Sequence, residues 1–301
     1  MAADASTSDS FRVLVVSGGY SPEREVSLQS GLNVADSLRQ AGHIPDRWDP
    51  ADRSADEINS AEWDIAFPML HGTGGEDGVL HRTLQQIGLP WVGSSISSSF
   101  LTFDKSLTRE RLQAHGIPIP PGRTIGSIEA PMPQSWPVVV KPARQGSSIG
   151  VTIVEGEVGW SSAVATALSL SSEAVIESYI AGREISIPVI DGEVFPAVEI
   201  EVPNGWYDYH NKYENESTKY HIAPADLPDD LNTIARRSCD VCDAEGILRV
   251  DLRINDRGEA YVLEINSIPG MTTHSLVPMS VESTGLSLPE FCDQCVRRAL
   301  S

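Results

Sequence analysis

Apolar residues in the first hundred positions come in short blocks separated by helical stretches. FRVLVVSGG (11–19) is a continuous apolar run ending in two glycines, which predicts a buried strand entering a turn. Leu28, Leu32, Ala35 and Leu38 recur at helical spacing and predict a helix that ends near Gly42. DIAFPML (64–70) predicts a second strand ending at a Gly-rich loop, followed by a helix from about Gly78 to Ile87 and a short strand, LPWVG (89–93). Strands alternating with helices imply a parallel, doubly wound sheet, which takes ligands beyond the carboxyl ends of its strands. Both glycine turns, Gly18-Gly19 and Gly72–Gly75, fall at that edge.

The pattern then changes. SSISSS (94–99) marks a lobe boundary, and a single helix is expected through Lys105 to about Gly116. A proline-rich extended stretch, IPIPPGRT, leads to PVVVKPARQGSSIGVTIV (137–154), read as strand, Gly/Ser loop, strand. A helix over 160–171 and a strand-turn-strand over 174–190 follow. Segment 203–225 has little periodicity and reads as a long loop of the kind that carries function. The chain closes with a helix (228–245), a hairpin (247–266), a loop, and a last helix started by a Ser287/Glu290 capping box. These elements predict an α/β N-terminal lobe, 1–97, and two α+β lobes, 98–184 and 185–301.

Composition narrows the function classes. The 301 residues hold 22 Lys+Arg against 42 Asp+Glu, a formal charge of −20, which disfavours general nucleic-acid or anionic-membrane binding. The polar start MAADASTSDS lacks a signal-peptide pattern, and no apolar run of about 18 residues exists, so a cytoplasmic location is expected. The cysteines form two C-x-x-C pairs, 239/242 and 292/295. Each pair falls on the apolar stripe of a predicted helix, which favours small core hydrophobes over a zinc site or disulfides.

Chemistry concentrates in the hairpin GILRVDLRINDRGEAYVLEIN. With turn residues at Asn255–Gly258 and Asp256 and Glu259 flanking, Val250 faces Ile265, Leu252 faces Leu263 and Ile254 faces Tyr261 on a core side. The same register sets Asp251 opposite Glu264 and Arg249 opposite Asn266 on the other side. Two carboxylates and an amide on one face suit a hard divalent ion such as magnesium, which would neutralise nucleotide phosphates, although an ion-pair ladder fits the pattern as well. Lys141 ends an apolar strand before a Gly/Ser loop able to cradle phosphate, and Glu177 and Glu184 border the next strand pair. The first glycine turn, GGYSPE, is not a dinucleotide-binding fingerprint.

With these residues in hand the sequence resembles the D-alanine–D-alanine ligase family of the ATP-grasp superfamily over nearly its whole length. The blocks are SGGYSPEREVSLQSG (17–31), FPMLHGTGGEDG (67–78), Asp104-Lys105, VVVKPARQGSSIGV (138–151), IESYIAGREIS (176–186), YDYHNKY (207–213) and RVDLRINDRGEAYVLEINSIPGMTTHSLVP (249–278). The resemblance implies an ATP-grasp fold, and a ligase joining two D-alanines through an acylphosphate for peptidoglycan synthesis. Lys105, Lys141, Glu177 and Glu184 would contact ATP, and Asp251, Glu264 and Asn266 would hold magnesium, as two ions, or manganese. Glu23 would bind the first substrate's ammonium, with Ser147 and Tyr213 beside it. His71 would lie near that substrate and Lys212 would reach a phosphate. Arg249 and the Gly270 N–H would stabilise an oxyanion, and Ser275 and Leu276 would cradle the second carboxylate. A homodimer is implied too. His81-Arg82, where the family commonly has Gln-Gly, and Ser97–Phe100 depart from the pattern and bear on substrate choice. The alternatives are a relative joining other D-amino acids and a nucleotide-binding protein without turnover.

Overall fold

A computed structural model of the chain describes residues 10–202 and 217–301. Strands β1 (Arg12–Val16), β2 (Ile44–Trp48) and β3 (Ile65–Pro68) form a parallel sheet in the order β2-β1-β3. Val13–Val16 are buried throughout, as a strand covered on both faces requires. β2 escapes hydrophobic-pattern reading because it is a polar edge, with Ile44 61% exposed. The expected strand at 89–93 reduces to one bridge between Ala66 and Trp91.

Helix α1 (Arg24–Gln40) forms where expected, but its buried face is not the leucine stripe. Leu32 is exposed, and Ser27, Ser30, Gly31, Val34, Ala35 and Leu38 pack inward. Small residues win because the helix lies so close to β1: a Cβ on Gly31 would come 2.2 Å from Ser17 Oγ. The serines also serve the loops. Ser27 Oγ accepts from Gly18 N at 2.7 Å and donates to Met69 O at 2.6 Å.

Helix α2 (Val79–Gln86) matches expectation. The single helix expected through Lys105 is two, α3 (Ile96–Phe103) and α4 (Lys105–Ala114), broken at Asp104. Asp104 takes an extended conformation and its carboxylate caps Ser106 and Leu107 N–H, a conformation that suits Asp better than continued helix.

The central sheet is antiparallel, with β4 (Gly122–Ile125), β5 (Val138–Pro142), β6 (Thr152–Val154) and β7 (Ala174–Ser178) in the order β4-β7-β5-β6, and α5 (Trp160–Leu170) packed on it. The larger sheet holds β8 (Arg183–Ile190), β9 (Glu193–Val194), β10 (Val198–Glu201), β11 (Lys219–Ile222), β12 (Ile247–Ile254) and β13 (Ala260–Asn266), with path β11-β10-β8-β12-β13 and β9 beside β8. Both strands expected in 174–190 form, but in different sheets. Gly182, at φ 128°, makes the crossing, and a Cβ there would meet Ile254 O at 2.1 Å.

Helix α6 (Leu231–Val241) packs with β8, β12 and β13 in one core, which also takes Leu112 and Ile117. Helices α7 (Leu276–Glu282) and α8 (Leu288–Ala299) join α1, β1 and β3 in another. The Ser287/Glu290 capping box starts α8 as expected. Cys239 and Cys242 lie in the first of these cores, Cys292 and Cys295 in the second, all as buried free thiols. Burial pushes the Cys292 thiol up to about 12, so these are inert core hydrophobes, as their stripe positions implied. No helix among the described residues is long and apolar enough to cross a membrane.

Candidate functional site

The β12–β13 hairpin keeps the expected register where the chemistry lies. Arg249 pairs with Asn266, Val250 with Ile265, and Asp251 with Glu264. Beyond Asp251 the register shifts by one, and Leu252 faces Val262, not Leu263, while Ile254 faces Ala260, not Tyr261. Leu263 is the extra residue of this bulge. Its carbonyl lies 3.4 Å from Lys141 Nζ, so the bulge turns a backbone acceptor toward the central sheet. Alternation could not reveal it, because Val262 and Leu263 are both apolar.

Asp251 anchors a dense polar cluster. It accepts from Ser186 Oγ at 2.8 Å, Asn266 Nδ2 at 3.0 Å, and Arg249 through Nε at 2.9 Å and Nη2 at 2.8 Å. Glu264, opposite, pairs with Lys105 Nζ at 3.1 Å. Among the described residues no three His, Cys, Asp or Glu side chains gather as a metal cluster. The donor set is two carboxylates and an amide. That set fits magnesium, which commonly takes one or two carboxylates and fills its shell with phosphate and water oxygens.

Lys105 opens α4 and is buried. Burial alone would depress its ammonium, but Glu264 outweighs it and holds the pKa above the usual lysine value. Lys105 Nζ also donates to Gln145 O at 2.8 Å, reaching the Gly/Ser loop. Lys141, at the end of β5, pairs with Glu177 on neighbouring β7 at 2.5 Å. The other Glu177 oxygen meets Arg109 Nη1 at 2.7 Å, a partner that sequence reasoning missed although it stands one turn from Lys105 on α4. Glu184, on β8, lies across from Arg253, at 3.7 Å.

Glu23 sits just ahead of α1 and is buried. Ser147 Oγ donates to its Oε1, which brings together two of the three residues expected around the first substrate's ammonium. Two glycines make room for it. A Cβ on Gly146 would lie 2.4 Å from Glu23 Oε2, and one on Gly72 2.8 Å. Ser147 and Ser148 hold φ of 49° and 59°, in the left-handed region, so the loop is backbone-strained where it meets Glu23. By contrast the first glycine turn is satisfied internally, since Gly19 N donates to Asp49 and Gly18 N to Ser27.

His71 links the two ends of the chain. Its Nδ1 lies 3.0 Å from Ile268 O and its Nε2 3.1 Å from Ser30 Oγ, which itself accepts from Met271 N. A carbonyl can only accept, so Nδ1 carries the hydrogen and Nε2 is the acceptor. Burial pushes His71 down to about 4, and it is neutral near pH 7. Glu76 is a second residue missed from sequence. It is buried 3.9 Å from His71, and burial followed by the Glu23 charge raises its carboxyl well above the usual range. Its signal was a carboxylate within the glycine-rich 72–78 loop.

Ser275 precedes α7. Its Oγ accepts from Thr272 N at 2.9 Å, and a Cβ on Gly270 would lie 2.9 Å from it, so Gly270 and Ser275 are neighbours. The Leu276 side chain is buried against Val198 and Ile200, which leaves its backbone, at an open helix start, as what it can offer a carboxylate. Lys212 and Tyr213 lie outside the described residues.

One polar cluster therefore gathers Glu23, His71, Lys105, Ser147, Arg249, Asp251 and Glu264 from segments that span the chain. Residues 126–297 match the sequence profile of a family described as D-ala D-ala ligase C-terminus. The chain is 38% identical to a D-alanine--D-alanine ligase of Alcanivorax borkumensis, over 91% of this chain and 89% of that one. It superposes on the crystal structure of the D-alanine--D-alanine ligase from Bacillus anthracis with a TM-score of 0.86 at 30% identity, over 97% of this chain and 98% of that one. It also superposes on that enzyme complexed with ATP, with a TM-score of 0.85 at 28% identity and the same coverage. By sequence over nearly its full length and by fold, the chain belongs to the D-alanine–D-alanine ligase family, and its fold is ATP-grasp.

Proposed function

We propose that this protein is an ATP-dependent ligase that joins two D-alanines into D-alanyl-D-alanine for peptidoglycan synthesis, with release of ADP and phosphate. The observation that carries this reading is Asp251 facing Glu264 across β12 and β13, with Arg249 and Lys105 as their countercharges. A solved relative complexed with ATP supports ATP as a substrate here.

A carboxylate is a poor electrophile toward an amine. Transfer of the γ-phosphoryl group to the first D-alanine's carboxylate gives an acylphosphate and ADP. The second D-alanine's amine then attacks the carbonyl carbon, and phosphate leaves. Glu23, kept in place by Ser147, binds the first ammonium, with neutral His71 nearby. Arg249 and the Gly270 N–H donate to the oxyanion that forms, each such donor typically contributing about 3 kcal/mol. The open start of α7, with Ser275 and Leu276, receives the second carboxylate. Lys105, Lys141, Glu177 and Glu184 contact ATP. Asp251, Glu264 and Asn266 would hold magnesium or manganese, as two ions, which supply positive charge to the phosphates. By the family resemblance Tyr213 would act with Glu23 and Ser147 and Lys212 would reach a phosphate, and both lie outside the described residues. In this reading the chain has three lobes divided at 97 and 184, ATP binds between the second and third, and the protein works as a cytoplasmic homodimer.

The test is coupled ADP release over a panel of D-amino acids, with products identified by mass spectrometry. Release is expected only with D-alanine, ATP and magnesium together. Another preferred dipeptide would assign the protein to a relative of different specificity. Nucleotide binding with no turnover on any pair would refute the ligase reading.

A further inference from the structure

Helix α4 carries two cations one turn apart. Lys105, its first residue, reaches Glu264 on β13 of the larger sheet, and Arg109 reaches Glu177 on β7 of the central sheet. One short helix thus ties together two sheets that share no strand.

Glu177 is the more constrained of the two acids. Its side chain is 3% exposed, and its two oxygens are divided between Lys141 at 2.5 Å and Arg109 at 2.7 Å. Arg109 has a second anchor, since its Nη2 donates to Pro120 O at 3.0 Å, and the two contacts fix the guanidinium plane. Gly122, two residues on, leaves room for it: a Cβ there would stand 2.9 Å from Arg109 Nη2. Lys141 by contrast holds Glu177 through a single rotatable ammonium.

We infer that Arg109 is a positioning residue of the nucleotide site, which acts through Glu177 to set Lys141 and registers the central sheet against the metal-side pair Lys105–Glu264. Both terminal nitrogens of Arg109 are committed to protein acceptors, Glu177 and Pro120 O. The inference rests on the reading that Lys141 and Glu177 contact ATP. A purely structural ion pair would stabilise the fold without favouring one substrate over another. A positioning role acts on ATP and spares D-alanine.

The experiment is calorimetric titration of the whole protein with magnesium and a non-hydrolysable ATP analogue, for Arg109→Met, Arg109→Lys, Glu177→Gln and the double variants, alongside KM for both substrates. Arg109→Met is expected to weaken analogue binding by roughly tenfold and Arg109→Lys by about threefold, with KM for D-alanine unchanged. In the Glu177→Gln background neither is expected to cost more than about twofold further, because the route through Glu177 is already cut. Should Arg109→Met not fold, the Arg109→Lys cycle reads the same coupling. Unaltered binding in the Arg109 variants, losses that multiply in the Glu177→Gln background, or an equal rise in KM for D-alanine would overturn the inference. An unmodified protein that binds no analogue would overturn it as well. Calorimetry needs no turnover, so a failure of D-alanine-stimulated ADP release would remove the ligase reading and the KM comparison and leave the calorimetric cycle standing.

Discussion

Burial holds two histidines of the N-terminal lobe neutral, with His71 and His81 both pushed down to about 4. His71 is tied at both ring nitrogens, whereas His81 Nδ1 is buried without a hydrogen-bond partner and its ring stands edge-on to Trp91. The sign follows from linkage. On acidification the unfolded chain takes up protons near pH 6.5 and the folded histidines only near 4, so stability is lost across that window and levels off below it. For His81 the loss is at most roughly 3 kcal/mol. His81→Gln, which cannot titrate, is expected to flatten the fall of Tm between pH 6.5 and 4 without altering Tm at pH 8 by more than a few degrees. Thermal melts across that range check it, and an unchanged acid slope would contradict it. At this scale the sequence was legible where periodicity speaks. Alternation along residues 249–266 put Asp251 and Glu264 on one face. Glu76 and Arg109 gain meaning only from the residues packed against them, and only the Lys105-to-Arg109 spacing of one helical turn hinted at the second.

Most strands and helices were readable, and the exceptions have two causes. β2, and β11 inside the 203–225 stretch expected to be a loop, are polar edge strands with little pattern to read. In α1, which buries serines and a glycine in preference to its leucines, and at the α3–α4 break, which hangs on one capping side chain, a local contact overrides the hydrophobic pattern. Asp104 shows the cost of such a contact. Its buried carboxylate caps α4 and pairs with Arg144 Nε at 2.6 Å. Asp104→Ala is expected to remove about 1–2 kcal/mol of capping and up to a few more from the ion pair. Because α4 begins with Lys105, KM for ATP should rise as well. Urea unfolding and steady-state kinetics check both, and a variant with wild-type stability would contradict the account of the break.

Across the whole molecule, the chain's end covers its beginning. Phe291, Cys292, Cys295 and Val296 of α8 complete the core over α1, β1 and β3. Four buried side chains at about 1.5–3 kcal/mol each amount to roughly 6–12 kcal/mol, comparable with the total stability of a typical protein. Truncation after Gly285 should therefore abolish cooperative unfolding, and a sharp thermal transition in the truncated chain would refute that. This closure was not legible, because no sequence pattern states which sheet the last helix covers. The candidate site was legible as residue types but not as neighbours. Asp251 and Glu264 are proposed to bind the metal that accompanies ATP. The most direct test of this is the magnesium dependence of D-alanine-stimulated ADP release for Asp251→Asn beside the unmodified enzyme. A magnesium requirement raised by about tenfold or more is expected, together with a steep loss of turnover. An unchanged magnesium dependence with full turnover would contradict it.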